Sequence, residues 1–206
     1  MCNTYLLRPK RGAKGLAQQV NEAAAKLVSD LVRKSDPGVV MRADGRVEFM
    51  RWGFHRSFNP SINNARSDKL IGGMWKEAFH DRRCVIPMSL FYEWGVGKDR
   101  GRKQAHEFHN PDDDYLWAAG IWEDDEELGP CYTMITTAAS PLMAPIHDRM
   151  PALLRPEVMA EFLAGSGNWD FQPFAGSLVV TPCESPLSGK PKTRPKSSSD
   201  SQPELF

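Results

Sequence analysis

The chain has 206 residues, 41% of them apolar and including six Trp, ten Phe and four Tyr, which suffices for one sizeable core and excludes a wholly disordered chain. No apolar run approaches the roughly 18 residues of a membrane-spanning helix, and the first residues lack the apolar stretch of a secretion signal, so a cytoplasmic protein without membrane contact is expected. The 26 Lys and Arg balance 26 Asp and Glu, but residues 112–127 hold eight acids and no base, leaving 26 bases to 18 acids elsewhere; a basic face for a polyanionic partner is compatible with that, and acidic loops at one end of a sheet explain it equally well.

Leu16, Val20, Ala24, Leu27 and Leu31 recur at helical spacing, so the pattern predicts an amphipathic helix over residues 14–34, stopped by Ser35-Asp36-Pro37-Gly38. Residues 39–42 and 47–52 flank Ala43-Asp44-Gly45-Arg46 as a hairpin. Residues 56–64 read as loop, and 69–79 as a helix crossing to the next strand. Short β-rich runs follow at 84–87, 89–95, 105–109, 115–123, 131–137 and 178–182, with a helix over Pro156–Ala164 whose proline sits in the first turn. The expected architecture is a single α+β domain over residues 1–183, with an antiparallel or mixed sheet and flanking helices. Residues 184–206, rich in Ser, Pro and Lys, read as a flexible tail. Cys2, Cys84, Cys131 and Cys183 are far apart and lack zinc-ligand spacing, so neither a metal nor a cofactor is expected; the last three read as structural.

Cys2 differs from the others by its place. Removal of Met1, normal before a small residue, leaves an α-amine and a thiol on adjacent carbons. Such a 1,2-aminothiol forms a Schiff base with an aldehyde, and the sulfur then closes a durable thiazolidine ring. Position 2 alone is weak support, since many chains carry a cysteine there by chance. Three other polar residues stand out. Asn64 lies in Asn64-Ala65-Arg66; Glu93 lies within Leu90-Phe91-Tyr92-Glu93-Trp94-Gly95, pointing opposite to Tyr92 and Trp94; His147 lies in a loop between Pro145 and Pro151. A carboxylate in an apolar strand is costly to bury unless it is paired or shuttles protons. Taken singly, each has a plain structural explanation: a turn cap, a solvated edge acid, a histidine bonded to Asp148.

Together these strings resemble the SRAP family, the SOS-response-associated peptidase-like proteins that process abasic sites in single-stranded DNA. The resemblance rests on Met1-Cys2, Arg51-Trp52-Gly53, Asn64-Ala65-Arg66, Arg82-Arg83-Cys84-Val85-Ile86-Pro87, Phe91-Tyr92-Glu93-Trp94, Ala119-Gly120-Ile121-Trp122-Glu123, Ile135-Thr136-Thr137-Ala138-Ala139, and the ten residues Leu142 to Pro151, in that order. It implies a protein whose Cys2, exposed by loss of Met1, becomes covalently bound to the ring-opened aldehyde of an abasic sugar. Glu93 would exchange protons with the reacting amine, His147 would assist ring opening and a lyase step, and Asn64 would hold the N-terminal residue and the sugar. Arg66 would grip a flanking phosphate, with Arg51, Arg82, Arg83 and Arg149 as further phosphate contacts and Trp52 and Phe54 as bases' stacking partners or core residues. Departures cluster on the DNA-facing loops: Cys2-Asn3-Thr4 replaces the common Cys-Gly-Arg start, and Ser67-Asp68-Lys69 follows Asn-Ala-Arg. The chain's last residues, Gln202-Pro203-Glu204-Leu205-Phe206, look like the peptide that docks on bacterial sliding clamps. Two other readings remain at this point: an N-terminal-nucleophile amidohydrolase using Cys2, and a non-catalytic single-strand-binding module.

Overall fold

Long apolar runs in this chain are buried on both faces, and they close a sheet upon itself. The computed structural model describes residues 2–97, 101, 103–165, 167–174 and 176–188. Strand β1 (Thr4–Leu6) leads to helix α1 (Leu16–Ala24) and the short strand β2 (Leu31–Arg33). The hairpin β3 (Pro37–Arg42) and β4 (Val47–Trp52) is followed by β5 (Phe54–Arg56), β6 (Asn59–Ile62) and β7 (Asn64–Arg66). Two single 3-10 turns and helix α2 (Lys76–Asp81) connect to β8 (Arg83–Met88), β9 (Leu90–Val96), β10 (Lys103–His109), β11 (Leu116–Asp125) and β12 (Gly129–Ala138). The chain continues through β13 (Arg149–Pro151), β14 (Leu153–Leu154), α3 (Pro156–Ala164) and β15 (Val179–Cys183). This is an α+β fold.

Strands β12, β4, β3, β8 and β11 pair in that order, and β11 pairs back to β12, so five strands form a closed, barrel-like ring. Every residue of β8 is buried, as are residues 116–122 of β11 and 131–137 of β12, which explains their continuous apolar character. Strand β7 adds to the ring in parallel with β12, bringing Asn64 opposite Met134 and Arg66 opposite Thr136. A second sheet, ordered β15-β10-β9-β1-β2, carries the N-terminal strand beside β9. In this way β1, carrying the N-terminal residues, and β7, carrying Asn64, are held by different sheets.

The hairpin and α3 form where the local signals place them, because turn residues and an N-terminal proline specify them without distant help. The helix expected over residues 14–34 ends at Ala24 instead. Leu27 still packs in the core, but the Ser29 hydroxyl bonds both the amide and the carbonyl of Leu31, and residues 31–33 complete the edge of β1. The segment expected as loop, 56–64, supplies β6 and leads into β7, which are held by their partner strands rather than by local propensity. Only residues 76–81 of the helix expected at 69–79 are α-helical, since Gly72-Gly73 breaks the run. The acids of 112–127 are also divided: Asp112–Asp114 precede β11, whereas Glu123 and Asp125 lie at its far end, paired with Arg56 and His55. The peptide Gln202–Phe206 and the lysines of the tail lie outside the described residues.

Candidate functional site

Cys2 sits in a cradle of amides. The Asn64 side-chain nitrogen donates to the Cys2 carbonyl at 2.8 Å, and that of Asn63 donates to the same oxygen at 3.3 Å and to the Asn3 amide oxygen at 2.9 Å. The thiol bonds the Thr4 carbonyl at 3.4 Å and is 1% exposed. Burial pushes the Cys2 thiol up to about 12, and the adjacent Glu93 carboxylate adds to the shift. At neutral pH the sulfur is therefore held as a thiol. Asn64 Oδ1 is buried with no protein partner among the described residues, an acceptor available to a hydroxyl or amine brought to Cys2.

Trp52 is what fixes this cradle. It is fully buried, packed edge-on to Tyr5 at 5.1 Å and stacked on Tyr132 at 6.2 Å, and its indole donates to the Asn63 carbonyl at 2.8 Å. It has no face left for a base, and neither has Phe54, also fully buried; of the two roles open for them, stacking and core packing, the structure takes core packing, which corrects Trp52 as a DNA contact. Gly53 continues the motif at φ 122°, where a Cβ would stand 2.0 Å from the Ser61 hydroxyl, so only glycine admits the turn. Arg51 braces the same turn, donating to the Gly53 carbonyl at 2.7 Å and to Ser35 Oγ and the Pro60 carbonyl at 3.1 Å each. That guanidinium is committed to the protein and is not a free phosphate ligand.

Glu93, 4% exposed, lies on the face of β9 shared with Phe91 and Gly95. The loop before β13 comes down on this face: a Cβ at Gly95 would meet Ile146 at 3.2 Å. His147 follows at once. Its Nδ1 accepts the Arg149 amide at 3.0 Å and lies 2.9 Å from the Asp148 carboxylate, so the ring has an acceptor role when neutral and an ion-pair partner when protonated.

The arginines separate into two groups. Arg66 is exposed and forked by Asp68 at 3.0 and 2.9 Å; the Asp68 contact holds its guanidinium above the usual range. Arg149 bonds the Thr136 carbonyl, stands 3.9 Å from Asp68, and has a buried Nε with no partner among the described residues. Burial, and then the positive charge of Arg66, lower its guanidinium below the usual range. These two charges meet at Thr136 of β12, which stands opposite Arg66, two residues along β7 from Asn64. Arg83, by contrast, is 2% exposed, donates to the carbonyls of Phe79, Phe162 and Gly167, and lies over the rings of Phe79 and Phe162. It is a core brace, and the DNA contact expected for it is corrected. Arg82, half-buried, donates to the exposed Glu77 carboxylate at 3.1 Å and to the Trp122 carbonyl at 3.2 Å.

Sequence reasoning missed Asn63, although an Asn-Asn pair beside the motif was a usable signal. Phe58 is 76% exposed on the β5–β6 hairpin that leads into β7.

The sequence profile of the SOS response associated peptidase (SRAP) family matches residues 1–188. The chain belongs to this family. Among similar proteins are the abasic site processing protein YMR114C of Saccharomyces cerevisiae, 31% identical over 148 residues (64% of this chain and 36% of that protein), and the abasic site processing protein YoqW of Bacillus subtilis, 30% identical over 132 residues (59% and 58%). The abasic site processing protein HMCES of Xenopus tropicalis is 32% identical over 138 residues, 51% of this chain and 41% of that protein. The matched region thus spans about a third to three-fifths of these relatives' lengths. Crystal structures of proteins from Bacteroides thetaiotaomicron and Bordetella bronchiseptica share the SRAP-like fold, each with a TM-score of 0.73 over 89% of this chain, at 20% and 21% identity; they cover 93% and 100% of those chains.

Proposed function

We propose that this protein processes abasic sites in single-stranded DNA by crosslinking itself to them through Cys2. The observation that carries the reading is the cradle: the two asparagines fix the Cys2 carbonyl, which leaves amine and thiol to be aimed, with the Glu93 carboxylate beside the sulfur. Loss of Met1 frees the amine. That amine attacks the C1′ aldehyde of the opened sugar, and the carbinolamine loses water as Glu93 takes and returns a proton. The sulfur then adds to the carbon of the resulting imine, its proton passing through Glu93 to the ring nitrogen, so that one water is released overall. A thiol held protonated suits this order, because the amine reacts first and the positive iminium then favours ionisation of its neighbour. His147 serves ring opening and elimination of the 3′-phosphate. The amidohydrolase reading is weakened, because its oxyanion donor, the Asn64 amide, is already spent on the Cys2 carbonyl.

Recognition without a base rests on phosphates and stacking. Arg66 and Arg149 form the phosphate clamp, with a phosphate oxygen replacing Asp68 in the Arg66 fork. Phe58 replaces Trp52 as the stacking side chain. In a salt titration of noncovalent binding, Arg66→Ala should flatten the plot of log affinity against log salt by about 0.7. Phe58→Ala should instead lower affinity roughly tenfold with the slope unchanged. An unaltered slope for Arg66→Ala would remove that arginine from the phosphate clamp.

A denaturing gel tests the whole reading. A single-stranded oligonucleotide with one abasic site should acquire a slow, protein-containing band that an intact oligonucleotide does not give. Equal retention of both strands under native conditions, with no band surviving denaturation, would favour the non-catalytic binding module. Gln202, Leu205 and Phe206 supply a separate proposal, docking on the bacterial sliding clamp by an extended peptide. Deletion of residues 202–206 should abolish the heat of clamp binding in calorimetry; an unchanged isotherm rejects it.

A further inference from the structure

A buried carboxylate that gives and takes protons needs a route to solvent, and the strand beside Glu93 offers one. In the β9–β10 pair, Glu93 stands directly opposite His106, and Phe91 opposite Phe108. Directly opposed residues of an antiparallel pair carry their Cβ atoms about 5 Å apart on one face of the sheet. The stacked rings of Phe91 and Phe108, 4.9 Å between centroids, show that geometry one pair earlier on the same face. One pair later come Gly95 and Gln104, with Ile146 and the His147 loop lying over the glycine. Glu93 and His106 thus occupy the floor between an aromatic wall and the loop.

His106 has an unusual environment for a strand residue. The residue as a whole is only half-buried, yet its Nδ1 is buried with no hydrogen-bond partner among the described residues. A buried ring nitrogen left unbonded in a native site calls for a function or a bound water. Other titratable groups toward this pair are the Cys2 thiol beside Glu93 and His147 on the overlying loop. On the far side of β10, β15 presents Pro182 opposite His106, which cannot titrate, and Gln104 on the same face is uncharged and bonded to the Cys183 carbonyl at 2.8 Å. Glu107 and Cys183 alternate to the opposite face.

We propose that His106 is a positioning residue for the crosslinking reaction, relaying protons between Glu93 and solvent, directly or through one water. The inference rests on the Cys2 reading above. One ring nitrogen is buried beside this strand pair and the residue as a whole is only half-buried, so a proton that Glu93 takes from the amine or the thiol can leave along the ring through a bridging water, and one it returns can be replaced. His106 touches neither the DNA nor the reacting atoms.

The test uses the full-length, Met1-processed protein and its His106→Gln and His106→Phe variants, with quenched time courses of adduct formation on an abasic oligonucleotide across mildly acidic to mildly alkaline pH. Both variants should bind the oligonucleotide as tightly as the parent and crosslink about tenfold more slowly, with the pH dependence near neutrality flattened. Added imidazole buffer should restore much of the rate in His106→Gln, as it would not for a packing defect. Parental rates and an unchanged pH profile in His106→Gln would overturn the proposal, and so would a slow variant that neither changes its profile nor responds to imidazole. Failure of the Cys2 reading is a separate result, because then the parent protein itself forms no adduct.

Discussion

Cys2→Ala should lose the denaturant-stable adduct almost completely, by about a thousandfold or more in rate, while binding abasic single strands within a few-fold of the parent. Alanine is as acceptable as cysteine for removal of Met1, so the variant still presents an α-amine. The amide cradle acts on the residue's carbonyl and is kept, and the arginines proposed as phosphate contacts, Arg66 and Arg149, lie on β7 and β13. What disappears is only ring closure. The amine can still form an imine, which hydrolyses freely, so the Ala variant should give an adduct only when a reductant traps it. Denaturing gels with and without borohydride separate these two outcomes. A heat-stable adduct of Cys2→Ala formed without reductant would falsify the thiazolidine.

The second large effect is on stability. Arg83→Ala should destabilise the fold by about 3–4 kcal/mol, lowering Tm by roughly 10 °C for a domain of this size. Two buried carbonyls, those of Phe79 and Phe162, lose their donor together with the more exposed carbonyl of Gly167, and the rings of Phe79 and Phe162 lose the planar group that lies over them. The loss is large because the partners stay buried and unsatisfied; an exposed arginine has no such liability. Arg66→Ala, forked only by the half-exposed Asp68, should leave Tm nearly unchanged. Calorimetric melting of the two variants side by side measures the contrast, and equal Tm values would contradict the assignment of Arg83 to the core.

That contrast also marks what a sequence can and cannot convey. The candidate groups Cys2, Asn64, Glu93 and His147 could be singled out because the chemistry proposed for them depends on residue type and on short strings around them. Cys2, Asn64 and Glu93 come together, and the loop of His147 packs on the strand of Glu93. Arginine, however, has the same letter whether it grips a phosphate or three carbonyls. Arg51, Arg82 and Arg83 were offered as phosphate contacts, but the acceptors they meet, and for Arg83 its burial, are set by parts of the chain far away. Trp52 misled for the same reason, since an aromatic beside a functional motif reads as a stacking group until its neighbours Tyr5 and Tyr132 are in place. At the level of the fold, the β3–β4 hairpin and α3 carry their own turn and cap signals. Strand β7 carries none: Asn64–Arg66 is extended because β12, some 70 residues later in the chain, accepts it in parallel. Leu31 continued a helical pattern and became an edge strand because β1 had an unfilled edge.

Intact mass spectrometry of the protein mixed with an oligonucleotide bearing a single abasic site tests the central claim most directly. The expected species is the chain without Met1 joined to the abasic strand with loss of one water, formed without reductant and absent with the unmodified strand. A folded protein lacking Met1 that returns only the two separate masses would contradict the account, leaving a chain with the family's fold and without its proposed covalent chemistry.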